Sequence, residues 1–162
     1  MRRSSRQPKK GGCVTNPTDL EPRERNRFMM AKIRAGEPAP YQEGAYVLRV
    51  MSVPGRRTGQ PQPVPIAIST VEAERYVCAP NRRRDWVLNL LAAEKCEVEG
   101  DRVPQCEAVL VEDETAALVV HTYLARLGRP SAEWPFASDA PVSEIAKHLT
   151  EIAVFRLRPI TG

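Results

Sequence analysis

Residues 45–79 read AYVLRVMSV-PGRRTGQPQ-PVPIAIST-VEAE-RYVCA. Ala45–Val53 is apolar and rich in β-branched residues, as a buried strand requires, and Pro54-Gly55 stops it. Pro63–Thr70 sets Val64, Ile66 and Ile68 against Pro65, Ala67 and Ser69, which is the period of a strand. Pro61, Pro63 and Pro65 lack the N–H that a ladder uses, so this strand should begin at an edge or opening of its sheet. Residues 71–74 form a turn, and Arg75–Ala79 reads as a third strand.

Residues 85–95 read as a helix with Asp85 at its N-cap. Segments 96–99 and 103–112 form a hairpin around Gly100-Asp101. Asp113 caps a helix over 115–127, whose inner stripe is Ala117, Val120, Leu124 and Leu127, and Gly128 ends it. A loop with Trp134 and Phe136 follows. Ser143 is expected to cap a short helix to Leu149, and 152–157 is a last strand. Residues 20–35 form a helix ended by Gly36, and 1–18 read as a disordered basic arm. Residues 19–162 are then one domain. Six short strands in near-meander order, with helices inserted, predict a mainly β, α+β protein whose antiparallel sheet curls into a small barrel.

Charge narrows the function classes. Residues 1–12 hold Arg2, Arg3, Arg6, Lys9 and Lys10 and no acid, so of the net +4 the rest of the chain carries −1. A nucleic-acid domain should carry basic charge on its folded face with aromatics interleaved, and this one does not. No apolar run is long enough to span a bilayer. The start has twin arginines and no apolar segment behind them, which argues against a secretion signal. Cys13, Cys78, Cys96 and Cys106 show no CxxC spacing, and there are two histidines, so no metal site is expected and a reducing cytoplasm fits.

Two basic segments remain, and together they read as walls of one anion-holding pocket. Gly55-Arg56-Arg57-Thr58-Gly59 offers backbone N–H groups in a tight turn, two forked guanidiniums and a hydroxyl. Asn81-Arg82-Arg83-Arg84 leads into a helix on which Trp86, Asn89 and Leu90 stand at i, i+3 and i+4. That face could hold a heterocycle. Equally, Trp86 and Leu90 could be core and Asn89 a structural amide. No nucleophile–base grouping or carboxylate pair is legible, so redox chemistry would need a borrowed cofactor.

The order strand, GRRTGQPQPVPI, strand, RYVCAPNRRRDWVLNLLAAEK, hairpin, helix and final AVFRLRP resembles the deazaflavin-dependent nitroreductase family, over roughly residues 44–159. That family includes F420H2-dependent quinone reductases of actinobacteria. The resemblance implies a split β-barrel, FMN-binding-like, and hydride transfer from reduced coenzyme F420 to a quinone, nitroaromatic or similar electron-poor acceptor. By it, Arg56, Arg57, Thr58 and Gly59 hold the cofactor phosphate and acidic tail. Gln62, Val64, Pro65 and Ile66 line the deazaflavin. Ala79, Pro80, Asn81 and Arg82 pass along the ring or its side chain, and Trp86, Asn89 and Leu90 close the pocket. Tyr123, Trp134 and Phe136 are candidates for the acceptor side. Family members often carry lysine where Arg57 stands and arginine where Gln62 stands. FMN is the alternative cofactor. A non-catalytic carrier of a flavin-like, tetrapyrrole or fatty-acid ligand is the alternative role. Both a monomer and a homodimer are compatible with the fold. The basic arm and Phe28-Met29-Met30 suggest peripheral contact with a quinone-bearing membrane.

Overall fold

A computed structural model of the protein describes residues 20–161. The basic arm expected at 1–18 lies outside the described residues. The first helix, α1 (Pro22–Ala35), is followed by β1 (Tyr46–Pro54), β2 (Pro61–Val71) and β3 (Glu74–Ala79). Then come α2 (Asp85–Ala93), β4 (Lys95–Val98), β5 (Gln105–Leu110) and α3 (Glu114–Leu127). A short α4 (Val142–Ile145) runs into a 3-10 turn, and β6 (Ala153–Pro159) ends the fold. The strands close into an antiparallel barrel in the order β1-β2-β3-β6-β5-β4.

Side-chain alternation sorts two cores. Val47, Met51, Val53, Ile68, Val77, Phe155 and Leu157 point into the barrel. On the same strands Val71, Tyr76 and Val154 point out and pack under α3 and α4, against Ala117, Val120, Leu124 and Ile145. Strands buried on both faces are held in register, because a one-residue slip would exchange the two cores. Phe155 is 1% exposed, and emptying its place would cost about 3–5 kcal/mol.

The two barrel ends are closed differently. At one, α2 carries the chain from β3 across to β4 and lays Trp86, Val87 and Leu90 onto the barrel core. At the other, Arg49 occupies an inward position and pairs with Asp101 at 3.0 Å, with side chains only 5% and 4% exposed. Tyr41 donates to the same carboxylate at 2.6 Å. The Arg75 guanidinium stacks on the Tyr41 ring at 3.9 Å. Arg49 also donates to the Ala39 carbonyl at 2.6 Å, so the ionic plug fastens the segment after α1 to the barrel.

Local chemistry explains where the elements stop. Glu72 and Ala73 both have positive φ, 53° and 66°, as a tight hairpin turn demands. Neither is the usual glycine or asparagine; the Glu43 carboxylate accepts from both of their N–H groups and holds the turn. Asp113 caps α3 as expected, accepting from the Thr115 N–H at 3.0 Å, and Gly128 ends it at φ 71°. Asp85 does not cap α2. Arg84 is the N-cap residue, and Asp85 sits in the first turn with its carboxylate on Arg56. The helix ends at Ala93 rather than Lys95, because Glu94 turns left-handed at φ 58° and Lys95 already begins β4. Ser143 likewise lies inside α4, which begins after Pro141.

The ladder between β2 and β3 covers only Ser69–Val71 against Glu74–Tyr76. Below Ser69, β2 pairs with β1 alone, and the barrel is split there. The backbone bonds Gly55 N–H to Gln60 O (2.8 Å) and Thr70 N–H to Ala45 O (3.0 Å) fix the alternation along the β1–β2 ladder. Even-numbered residues of β2 bond to β1, so the main-chain groups of residues 61, 63, 65 and 67 face the open edge. Three of those four are proline. The missing donors lie where no ladder partner asks for them.

Candidate functional site

A cleft of about 1120 Å³ opens where β2 and β3 part. Its walls come from separate parts of the chain. The open edge of β2 supplies Gln62–Ala67; Cys78 and Pro80 lie opposite, on and just after β3. The β1–β2 loop contributes Gly55–Thr58, and the start of α2 contributes Arg84, Asp85, Trp86 and Asn89. The first turn of α1 and the segment from Tyr123 to Trp134 complete it.

The β1–β2 loop is tightly built. Gly59 N–H donates to the Gly55 carbonyl at 2.8 Å, and Gly59 takes φ 76°. A Cβ on Gly55 would lie 3.3 Å from Thr58 Oγ1 and 3.4 Å from the Gln60 carbonyl. The loop is pinned to α2 by one buried amide. Asn89 Oδ1 accepts from the Arg56 backbone N–H at 3.0 Å and from Arg56 Nη1 at 2.8 Å. Arg56 also reaches the Asp85 carboxylate at 3.4 Å. Arg57, next to it, is exposed and has no carboxylate partner among the described residues.

Ten of the fifteen residues expected from the sequence line this cleft: Arg56, Arg57, Thr58, Gln62, Val64, Pro65, Ile66, Pro80, Trp86 and Asn89. Gly59 shapes the loop from outside it. Ala79 is fully buried with the barrel core, and Leu90 is too, so the helix face shared by Trp86, Asn89 and Leu90 is mostly turned into the barrel mouth. Asn81 accepts from the Arg83 N–H at 2.9 Å and only shapes the turn. Arg82 points away. Its guanidinium donates to the Ile152 carbonyl at 2.6 Å, the Leu149 carbonyl at 2.8 Å and Glu112 at 2.8 Å. Its place in the cleft is taken by Arg84, which pairs with Glu133 at 2.6 Å.

Tyr123 and Trp134, the acceptor-side candidates, also line the cleft, but three further arginines had no sequence signal of their own. Arg23 and Arg25 come from α1, and Arg129 follows α3. With Arg56, Arg57 and Arg84 this makes six guanidiniums against two carboxylates, Asp85 and Glu133. Both carboxylates are already engaged by arginine. The apolar lining is Val64, Ile66, Trp86, Leu127, Tyr123 and Trp134. Tyr123 stands 6.5 Å from Trp134, centroid to centroid. Phe136 packs behind Trp134 at 5.8 Å and does not reach the cleft.

Burial pushes the Tyr123 hydroxyl up to about 12, helped by Cys78 and Tyr46 and opposed by Arg129. Burial also pushes the Cys78 thiol up to about 12, against the pull of Arg84. Both groups are protonated at neutral pH, so the cleft holds neutral donors rather than a thiolate nucleophile. Neither histidine lines it. His121 Nδ1 lies 3.1 Å from the Ala140 carbonyl, and His148 sits between Glu144 and Glu151.

Neither a protein-family model nor a curated protein sequence matches this chain. Among solved structures, HutZ, the heme storage protein from Vibrio cholerae, is similar at 15% identity with a TM-score of 0.44, covering 71% of this chain and 82% of its own. An F420 reductase is similar at 15% identity with a TM-score of 0.46, covering 76% of this chain and 96% of its own. The six-stranded barrel stands on the strand order and register alone. No helix among the described residues is long and apolar enough to cross a membrane.

Proposed function

We propose that this protein is a deazaflavin-dependent oxidoreductase that binds coenzyme F420 in the cleft and passes hydride to a quinone, nitroaromatic or similar electron-poor acceptor. The observation that carries this reading is the open edge of β2 beside the basic β1–β2 loop. A flavin-like ring needs an apolar slot with a polar rim, and its phosphate needs converging donors. Val64, Ile66 and Trp86 supply apolar contact. The unpaired carbonyls of Pro63, Pro65 and Ala67 can accept from ring N–H groups, and the Ala67 N–H can donate to a ring carbonyl. The Arg57 guanidinium, the Thr58 hydroxyl and the main-chain N–H groups of these two residues, which have no acceptor among the described residues, would take the phosphate.

Reduced coenzyme F420 supplies the hydride when bound. Val64, Ile66 and Trp86 would hold the ring and exclude water from it, and Tyr123 and Trp134, which line the same cleft, would meet the acceptor. Tyr123 Oη, protonated across the neutral range, can donate to an acceptor oxygen as charge develops there. This asks no thiolate nucleophile or ionised base of the protein, in keeping with Tyr123 and Cys78 both being protonated at neutral pH.

The test is a fluorescence titration of the purified protein with coenzyme F420, beside FMN at the same salt. Saturable binding of the deazaflavin, followed by acceptor-dependent return of its oxidised fluorescence, supports the reading. Binding of FMN alone moves the chemistry to flavin. Binding of the deazaflavin with no turnover on any quinone or nitroaromatic makes the protein a carrier.

A further inference from the structure

We infer that the cleft selects its ligand by number of anionic groups, with Arg23 and Arg25 of α1 forming a second anion contact apart from Arg57. This rests on the reading of the cleft as the ligand site. A single phosphate is satisfied by the Arg57 guanidinium, the Thr58 hydroxyl and the two main-chain N–H groups of these residues. The cleft holds more charge than that ligand uses. Its two carboxylates are consumed by Arg56 and Arg84. Among the described residues, Arg23, Arg57 and Arg129 have no carboxylate within 4.0 Å, and Arg25 donates only to the Leu20 carbonyl at 3.3 Å. Residues 1–19 contain one acid, Asp19, so they hold little with which to neutralise these groups.

These guanidiniums come from α1, the β1–β2 loop and the turn after α3, and they meet only because α1 packs across β1 and β2. Like charges converging on one concave surface raise its potential and favour a multivalent anion over a monovalent one. The ligand class is therefore a ring or chain bearing two or more phosphates or carboxylates along an extended arm. FMN, with one phosphate, would leave the α1 arginines unused.

The experiment separates this inference from the cofactor reading. Inorganic triphosphate and orthophosphate, which carry no ring, are titrated calorimetrically into wild type, Arg23→Gln/Arg25→Gln and Arg83→Gln. Trp86 and Trp134, the chain's two tryptophans, both line the cleft, so their fluorescence reports whether the anion enters it. The double variant should lose about tenfold or more for triphosphate and less than about twofold for orthophosphate. Arg83→Gln, whose exposed side chain lies outside the cleft, should match wild type. Equal affinity of wild type and double variant for triphosphate overturns the inference, as does no triphosphate binding at all. Coenzyme F420 is then compared with its form lacking the glutamate tail. Tail-dependent affinity that vanishes in the double variant supports both readings. If no deazaflavin binds while triphosphate discrimination stands, the cofactor reading fails and the anion site survives. If the ring binds equally with and without the tail, the α1 contact is refuted and the cofactor reading survives.

Discussion

Asn89 offers the sharpest test of how the cleft is built. As a ligand contact, its loss would weaken ligand binding and leave the ligand-free protein unchanged. As the clamp between α2 and the β1–β2 loop, its loss should destabilise the ligand-free protein. The amide is 5% exposed and accepts twice from Arg56. A neutral backbone bond is worth about 1 kcal/mol net, and one from a guanidinium about 1.5 kcal/mol at the low end. The low end applies because the Arg56 side chain is 27% exposed and regains water. Asn89→Ala should therefore cost about 2–3 kcal/mol. With a urea slope of about 2 kcal/mol/M, the unfolding midpoint should fall by about 1 M at unchanged slope. Asn89→Asp keeps an acceptor facing Arg56, loses the amide's donor and adds a negative charge at a buried position. Because that charge faces the Arg56 guanidinium, the variant should cost less than Asn89→Ala while weakening any ligand that takes the amide's donor. A midpoint for Asn89→Ala within about 0.2 M of wild type would refute the clamp.

Two further outcomes follow from the structure. Asp101→Leu strips the buried Arg49 of its partner and Tyr41 of its acceptor, and should destabilise by about 3–5 kcal/mol in chemical denaturation; a cost under about 1 kcal/mol would mean the plug is solvated. Tyr123 should resist ionisation until about pH 12 when followed by phenolate absorbance, whereas in the unfolded chain it titrates at about 10. The unfolded state then releases its proton first, so this group's contribution is fully present below about pH 10 and is lost as pH rises toward 12. A Tyr123→Phe variant showing the same alkaline loss of stability would assign it to other groups.

The barrel was legible because its evidence is local and periodic. Residues 63–70 alternate with a strand's period, and β6 alternates Ala153, Phe155 and Leu157 inward against Val154 outward. The β1–β2 loop was legible for a similar reason: its glycines and arginines act within five residues. The rest of the site was not, because it is set by distant partners. Arg82 and Arg84 are two residues apart in a turn without period. Carbonyls at Ile152 and Leu149, far along the chain, decide which of them enters the cleft. The helical spacing of Trp86, Asn89 and Leu90 placed them on one face. It could not say where the barrel rim would cut that face, with Leu90 below it and Asn89 at it. Asp85 looked like a cap because of its residue type, but Arg56 across the cleft engages its carboxylate. Arg23 and Arg25 had no pattern to find; packing of α1 on β1 and β2 alone brings them to the site.

The prolines of β2 tie the fold to the site. An exposed strand edge invites pairing with another chain, and proteins commonly blunt such edges with proline. Here Pro61, Pro63 and Pro65 stand where their N–H groups would have faced the opening, so strand addition from another chain would find acceptors and few donors. The same chemistry leaves carbonyls available to a ring that donates. The loop that presents Arg57 and Thr58 runs straight into this edge. Residues 62–66 extend over about 13 Å of strand, so covalent geometry fixes the basic turn at one end of the apolar slot. A ligand that fills both must carry its charge on an arm leaving the ring along the strand. On the reading proposed above, the basic β1–β2 turn and the apolar slot form one device, set by where the β2–β3 ladder stops.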